Sequence, residues 1–193
     1  MDLSMTPQQL IFWTLNQPQQ SVVTTSFGNQ SAVLLHMIST FKPLVVWVDT
    51  GYNTEATLRY AREITNQLGL NVIRYTAEPW ERETPMINTP EHKEFIDHIK
   101  LEPFRRAVKE IRPEFWIAGL RKEQTEHRRG LQQIDQIDGI TKICPLLEWT
   151  SEDMNEYIVK YKLPNEPAYF DPTKVSTNTE CGLHTIESLH LEA

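Results

Sequence analysis

The sequence is poor in the residues on which several protein classes depend. It has only two cysteines in 193 residues, Cys144 and Cys181. Two cysteines exclude a disulfide scaffold and cannot supply the four thiolates of an iron–sulfur cluster from one chain. The longest apolar run, residues 44–48, is far shorter than the roughly 20 residues that span a bilayer. No basic segment followed by an apolar one marks a signal peptide. We therefore expect a cytoplasmic protein with reduced thiols and no membrane partner.

Basic residues are also in deficit. The chain has 19 Lys and Arg against 26 Asp and Glu, a formal net charge of −7, and a pI of about 5.4. This balance argues against a nucleic-acid polymer as partner, because domains that bind one are normally basic. A few arginines can still form a local positive pocket for a small anion. The mass of 22.5 kDa and mean hydropathy of −0.46 fit one globular domain.

Short β-branched runs alternate with amphipathic stretches, which predicts an α/β fold: a parallel, Rossmann-like sheet with helices on both faces. Strands are predicted at residues 22–25, 44–48, 72–75, 115–118 and 140–145. Helices are predicted at residues 6–15, 32–40, 54–68, 93–111 and 151–161, with an interruption at Pro103 and a cap at Ser151. From Leu163 the pattern is lost. We therefore place the domain at residues 1–170 and a flexible C-terminal tail at residues 171–193.

Open parallel sheets bind ligands beyond the carboxyl ends of their strands, where three predicted loops lie. In residues 26–31, small and hydroxyl residues leave N–H groups available to an anion, but such residues serve equally often as helix caps. In residues 49–53, Asp49 either holds a ribose hydroxyl or forms a turn, and the spacing alone favours the turn.

The third loop, residues 119–129, is rich in positive charge. Four cations, Arg121, Lys122, Arg128 and Arg129, fall within nine residues of a protein with a net charge of −7. Arginine binds phosphate or sulfate oxygens in a planar, often bidentate geometry. The alternative is a solvated helix face with local ion pairs.

The two cysteines have different surroundings. Cys181 lies beside Gly182 and near His184 in a polar segment, which is unusual because unreactive cysteines are mostly buried. A nearby cation or histidine favours the reactive thiolate. Cys144 lies in the apolar run 143–147, so we predict that it is a core residue.

Six segments together resemble the phosphoadenylyl-sulfate (PAPS) reductase family, in the family's order. They are TTSFGNQSAVLLH at 24–36, VDTGY at 48–52, KLEP at 100–103, IAGLRKEQ at 117–124, CPLLEW at 144–149 and ECGLH at 180–184. The resemblance implies an adenine nucleotide α-hydrolase-like fold with a modified PP-loop at residues 26–31. Relatives that make adenylates carry SGG-x-D-S there, and Phe27 and Gln30 replace that pattern, which points away from ATP cleavage.

The resemblance also implies a reaction. An enzyme of the type without an iron–sulfur cluster reduces PAPS to sulfite and adenosine 3′,5′-bisphosphate in sulfate assimilation. It forms a cysteine S-sulfonate that reduced thioredoxin or glutaredoxin resolves, and it has no bound cofactor and no metal. Members without clusters are commonly homodimers, so a homodimer is one possible assembly.

The resemblance assigns roles to particular residues. Cys181 is the nucleophile, and His184 either tunes its thiol or is a bystander. The phosphosulfate site is lined by Ser26, Gly28, Gln30 and Ser31, the nucleotide side by Asp49, Thr50 and Gly51, and the sulfate and phosphate oxygens are contacted by Lys100, Arg121 and Arg128.

The C-terminal part departs from the family pattern. Only nine residues separate Asp171 from Cys181, a reach of at most about 30 Å, so the tail serves its own crevice or that of a partner subunit. In a second alignment, residues 174–177 match the loop in which cluster-bearing members carry a cysteine pair. Two other functions stay open: a nucleotide-binding relative without reductase activity, and an ATP-pyrophosphatase-type adenylyl transferase. The preference for PAPS over its non-phosphorylated analogue APS also stays open.

Overall fold

The computed structural model describes residues 5–87 and 89–173. Its strands are β1 (Ser21–Thr25), β2 (Leu44–Asp49), β3 (Asn71–Thr76), β4 (Phe115–Ala118), β5 (Ile134–Ile137) and β6 (Ile140–Ile143). Its α-helices are α1 (Pro7–Leu15), α2 (Ser31–Ile38), α3 (Glu55–Leu68), α4 (Pro90–Ile96), α5 (Glu102–Ile111), α6 (Glu126–Arg129) and α7 (Ser151–Tyr161). A π-helical turn, Asp97–Leu101, joins α4 to α5, and 3₁₀ turns lie at Ser39–Phe41 and Lys122–Gln124.

The strands form one six-stranded sheet in the order β3-β2-β1-β4-β6-β5. β1 pairs in parallel with both β2 and β4, and β2–β3 and β4–β6 are also parallel. The chain therefore builds the sheet outward from β1 in one direction and then, from β4, in the other. This reversal creates a topological switch point between the carboxyl ends of β1 and β4, where such sheets bind ligands.

The antiparallel edge strand β5 is not among the predicted strands. It pairs with β6 through the turn Asp138–Gly139, whose φ angles are 49° and 81°. An Asp-Gly pair between apolar residues is typical of a two-residue hairpin turn, so the signal was present in the sequence. The strand escaped prediction because its residues are mostly exposed and lack a strong apolar pattern.

Side chains from both faces of the sheet are buried, which confirms the predicted layers. On β1, Val23 packs in a cluster with α1, α2, α3 and α7, whereas its neighbour Val22 packs on the other face with α5. Alternate residues of a strand point to opposite faces. An apolar parallel strand such as β2 is therefore covered on both sides.

Helix boundaries follow local chemistry, with two corrections. Thr6, the first residue of the predicted helix 6–15, caps α1. The cap of α7 is Thr150 instead of the predicted Ser151, because Thr150 and Asp153 form a reciprocal capping box. The predicted interruption at Pro103 is also wrong. The helical path continues through the π turn into α5, where Pro103 occupies the first turn, a position at which the missing N–H is tolerated.

Beyond α7, residues 163–173 contain no helix or strand, as predicted, but they are anchored to the domain. Leu163, Glu166 and Thr173 are buried. The remainder of the predicted tail, residues 174–193, lies outside the described residues. No helix in the described ranges is long and apolar enough to cross a membrane.

Candidate active site

A cavity of about 250 Å³ lies at the topological switch point. Its lining comes from the ends of β1 and β4, the two loops that follow them, the π turn, and the segment after α7. The lining residues that bear on the chemistry are Ser26, Gly28, Gln30, Ser31, Lys100, Arg121, Gln124, Arg128, Tyr169 and Asp171.

The loop between β1 and α2 is held in shape by a buried aromatic side chain. Phe27 has a φ of 52°, in the left-handed region that L residues rarely adopt. Its ring is fully buried, with centroid distances of 5.1 Å to Trp47 and 6.5 Å to Tyr60. The ring therefore points into the core while the backbone on either side of it faces the cavity.

The same loop leaves backbone donors at the cavity. The N–H groups of Gly28 and Asn29 have no acceptor among the residues that the structure describes. They lie just before α2, whose first residue is Ser31. Such donors at a helix N-terminus suit an anion. Gly28 also has the Tyr169 ring directly above it, since a β-carbon there would lie 3.0–3.2 Å from three ring atoms.

Arg121 is held in a network that includes Gln30. The residue is 5% exposed, and Nη2 donates to Gln30 Oε1 at 2.7 Å. Its Nη1 donates to Ser151 Oγ at 3.2 Å and pairs with Glu123. The hydrogen bond from Ser151, together with the charge of Arg121, lowers the pKa of Glu123. The predicted cap Ser151 thus orients an arginine at the cavity.

Gln30 is itself fixed by α7. Its Nε2 donates to Asn155 Oδ1 at 2.9 Å, and its backbone N–H donates to Asn165 Oδ1 at 2.7 Å. The Gln30 amide thus connects the first loop, the third loop and the helix after them. Both ends of this amide are engaged by protein partners.

Lys100 projects from the π turn into the same cavity. It is 6% exposed, and Nζ lies 2.5 Å from Asp171 Oδ2 and 3.1 Å from Thr173 Oγ1. Burial raises the pKa of the Asp171 carboxyl, but the charge of Lys100 and the hydrogen bonds from Lys100 and Thr173 outweigh it, so the pKa lies below its ordinary value. The Asp171 carboxyl is therefore ionised at neutral pH.

Arg128 completes a set of three buried cations. It is 5% exposed and donates to Gln124 Oε1 from Nη1. Its backbone N–H is capped by Thr125 at the start of α6. Within the part of the chain that the structure describes, Asp171 contacts Lys100 and Glu123 contacts Arg121. Three cations thus line one cavity of a protein whose net charge is −7.

Seven of the predicted binding residues are brought together in this cavity: Ser26, Gly28, Gln30, Ser31, Lys100, Arg121 and Arg128. Asp49, Thr50 and Gly51 are not among its lining residues. Asp49 Oδ1 accepts hydrogen bonds from Gly51 N at 3.0 Å and Asn53 Nδ2 at 2.6 Å, and the carboxylate pairs with Arg74. This is the turn-forming arrangement that the spacing alone favoured, and a nucleotide role for these residues remains a prediction.

The two cysteines remain distinct. Cys144 is buried in the core, as predicted, and burial raises its pKa to about 11. Cys181, His184 and residues 174–177 lie outside the described residues. Within residues 5–87 and 89–173, no group of three His, Cys, Asp or Glu side chains is arranged to hold a metal ion.

Of the ten lining residues named above for their chemistry, three were not predicted from the sequence: Gln124, Tyr169 and Asp171. Gln124 lies in the third loop and in the segment that resembles the family, so its position was a usable signal. Tyr169 and Asp171 lie in the segment without helical or strand pattern. Only their types, an aromatic ring and a carboxylate among prolines, distinguish them there.

Comparison with known proteins identifies the family. The family model described as the phosphoadenosine phosphosulfate reductase domain matches residues 20–172. Phosphoadenosine 5′-phosphosulfate reductase from a Synechocystis species is 36% identical over 182 residues, covering 89% of this chain and 73% of the relative. The enzyme of the same name from a Synechococcus species is 32% identical over 176 residues, covering 83% and 74%.

Solved structures of known proteins have the same fold. The crystal structure of PAPS reductase from Candida auris, in complex with phosphate, superposes with a TM-score of 0.71 at 25% identity, covering 85% of this chain and 83% of that one. FMN adenylyltransferase from Candida glabrata has a TM-score of 0.61 at 13% identity, covering 83% and 55%. The second likeness concerns the fold alone, and together they confirm the predicted PP-loop type of fold. With the family model matching residues 20–172, the chain belongs to the phosphoadenosine phosphosulfate reductase family.

Proposed function

We propose that the protein reduces PAPS to sulfite and adenosine 3′,5′-bisphosphate, with Cys181 as the nucleophile and thioredoxin or glutaredoxin as the reductant, as a step of sulfate assimilation. The observation that carries the proposal, beside family membership, is the burial of Lys100, Arg121 and Arg128 around one cavity at the switch point. A cytoplasmic location follows from the same proposal, since the reaction needs reduced thiols.

The cavity suits a phosphosulfate group. Cations at near-zero exposure act in a low local dielectric, where their attraction for an anion exceeds that of surface cations. The N–H groups of Gly28 and Asn29 add uncharged donors on the side of α2. A thiolate that attacks a sulfonate meets a group that is already negative. Neutralising the sulfonate and phosphate oxygens lowers that repulsion and stabilises the charge that develops on the leaving phosphate.

The reaction then runs in two displacements. The Cys181 thiolate attacks the sulfonate sulfur, the bond between this sulfur and the bridging phosphate oxygen breaks, and adenosine 3′,5′-bisphosphate leaves with the bonding electron pair. A thiolate of the reductant next attacks Sγ of the resulting S-sulfocysteine and expels sulfite. The second thiol of the reductant resolves the mixed disulfide, so the reductant is oxidised to a disulfide and Cys181 returns as a thiol.

Cys181 is the better of the two candidates for this role. Cys144 is a buried core residue whose pKa is raised to about 11, so it is protonated and shielded at neutral pH. Thr173, the last described residue, accepts a hydrogen bond from Lys100, which lines the cavity. Eight further residues lead to Cys181, a span of at most about 26–29 Å. The nucleophile is therefore within reach of the cavity of its own subunit.

Intact-mass measurement of the reduced protein tests the proposal. The protein is incubated with PAPS, and separately with APS, in the absence of thioredoxin. We expect PAPS to add one sulfonate group, mapped to Cys181 by peptide sequencing and released as sulfite when reduced thioredoxin is added. The nucleotide that gives the adduct identifies the substrate.

Two cysteine variants serve as matched controls. Cys181→Ser is expected to form no adduct while retaining affinity for adenosine 3′,5′-bisphosphate, and Cys144→Ser is expected to form the adduct. An adduct on Cys181→Ser contradicts the nucleophile assignment. Nucleotide binding without any adduct in the wild type supports a relative without reductase activity, and release of pyrophosphate from ATP supports an adenylyl transferase.

A further inference from the structure

One cation of the cavity is occupied by a carboxylate from the end of the described chain. Asp171 and Lys100 are 71 residues apart in sequence, and their charged atoms lie 2.5 Å apart. The side chains are 5% and 7% exposed, and both residues line the cavity. Thr173 Oγ1 donates to Asp171 Oδ1 and accepts from Lys100 Nζ. A negatively charged side chain thus contacts a cation to which the proposed function assigns the anionic oxygens of the substrate.

This carboxylate belongs to a segment that is attached to the cavity at three points. Asn165 accepts from Gln30 N and donates to Asn29 Oδ1, each at 2.7 Å. Tyr169 covers Gly28. Asp171 binds Lys100. The first two attachments, a polar contact between loops and an aromatic ring over a glycine, carry no negative charge that would repel an anionic ligand. Only the third places like charge against an incoming phosphate or sulfate.

A ligand oxyanion and Asp171 cannot share Lys100 without strong repulsion. Lys100 Nζ already has Asp171 Oδ2 and Thr173 Oγ1 within hydrogen-bond distance. A ligand oxygen at hydrogen-bond distance from the same nitrogen lies close to the Asp171 carboxylate, in surroundings that screen charge poorly. One of the two anions therefore has to leave the lysine.

We propose that Asp171 is an internal anion that occupies Lys100 in the free protein, and that an anionic group of the substrate displaces it. This deepens the proposed function, on which the identity of the substrate rests. The exchange makes Asp171 a residue that determines specificity. A ligand whose oxyanion reaches Lys100 replaces the lost ion pair with its own, whereas an uncharged nucleoside has nothing with which to displace the carboxylate.

Calorimetric titration of Asp171→Asn distinguishes this exchange from a purely structural pair. If the carboxylate competes with the ligand, its neutralisation tightens binding of adenosine 3′,5′-bisphosphate, on the order of tenfold for a coupling of ordinary size, and leaves binding of adenosine unchanged. If Asp171 only holds Lys100 in place, the same substitution weakens binding of the bisphosphate. Weakened or unchanged binding overturns the proposal.

Two further variants test whether a change in affinity comes from the contact between Asp171 and Lys100 or from the loss of any ion-paired aspartate. Asp97→Asn makes the same chemical change at an ion-paired aspartate outside the cavity, bound to Arg105 at 2.8 Å, and is expected to alter affinity less than twofold. In a Lys100→Gln background, Asp171→Asn is expected to lose its tightening effect, because the shared lysine is gone. Tightening of equal size in that background contradicts an exchange at Lys100.

Hydrogen exchange of the wild type gives a second measurement that does not need a variant. Thr173 N–H donates to Asp171 Oδ1 at 3.0 Å. We expect the bisphosphate to increase exchange in residues 165–173 while it protects residues 26–31. Protection of both segments overturns the proposal. The two proposals are tested by different results. Wild-type protein that forms no S-sulfonate with PAPS refutes the proposed function. The direction in which Asp171→Asn changes the affinity for the bisphosphate tests the displacement of Asp171 from Lys100.

Discussion

Phe27 combines a buried aromatic side chain with a left-handed backbone conformation that favours glycine. Substitution by alanine and by glycine separates the effects of these two features on stability. Its side chain is fully buried between Trp47 and Tyr60, which favours a large apolar residue. Its backbone has a φ of 52°, which favours glycine. The ring stabilises the fold while the backbone opposes it, and the net effect keeps the loop at the cavity in its observed shape.

Removal of the ring costs the same in Phe27→Ala and Phe27→Gly apart from one methyl group, about 3–5 kcal/mol for a buried phenylalanine. The two variants then differ in backbone terms. The left-handed conformation costs an L residue about 1–2 kcal/mol, from which glycine is exempt. Glycine in turn loses about 0.5–1 kcal/mol more through backbone entropy. The backbone terms therefore favour the glycine variant by about 0–1.5 kcal/mol, and burial of the alanine methyl group offsets up to about 0.8 kcal/mol of this.

Urea unfolding followed by tryptophan fluorescence measures this difference as a shift in midpoint at constant slope. Phe104 is the matched control, since it is also buried but lies in helix α5. There alanine should be more stable than glycine by about 0.5–1 kcal/mol. The methyl and entropy contributions apply at both sites, so the difference between the glycine and alanine variants should shift toward glycine by about 1–2 kcal/mol from position 104 to position 27. An equal difference at the two sites refutes the reasoning.

Two other substitutions test the segment that covers the cavity. Gly28→Ala places a β-carbon 3.0–3.2 Å from three atoms of the Tyr169 ring. We expect it to lower the free energy of unfolding by about 1–3 kcal/mol, and Gly28→Ala with Tyr169→Ala should lose less than the two single costs combined; strict additivity contradicts the contact. Asp171→Asn should change how stability responds to acid. Because the pKa of Asp171 is lowered from 3.8, its ionised form stabilises the fold above that value, and this contribution is lost as the pH falls through the folded-state pKa. Urea midpoints of wild type and variant should therefore differ at pH 7 and converge below pH 3.8; a constant difference across that range contradicts the assignment.

The sequence predicted the five parallel strands and their helices because both faces of the sheet are buried. An apolar run such as β2 can then be recognised from local composition alone. The same reasoning failed at β5, whose exposed residues pair only because the Asp138–Gly139 turn folds them onto β6. It also failed at Pro103, because the proline lies in the first turn of α5, where its missing N–H is tolerated.

Part of the candidate site was also predictable from the sequence, and part was not. The loop after β1 and the cationic loop after β4 were predicted to converge, because parallel strands end at one edge of a sheet. Local chemistry also separated Cys144 from Cys181, since the apolar run around Cys144 indicates burial. These features depend on residues close together in the chain, where periodicity and composition are informative.

Partnerships between distant residues required the tertiary structure. Gln30 and Arg121 are 91 residues apart, and Lys100 and Asp171 are 71 apart. No pattern in the sequence relates such pairs, because their proximity depends on the path of the whole chain around the switch point. The sequence by itself determined the layers, the strand-end loops and the types of charge that meet there. Only the tertiary structure decided which carboxylate pairs with which cation, because the topology of the sheet brings loops that are distant in sequence together and buries their charged groups in one cavity.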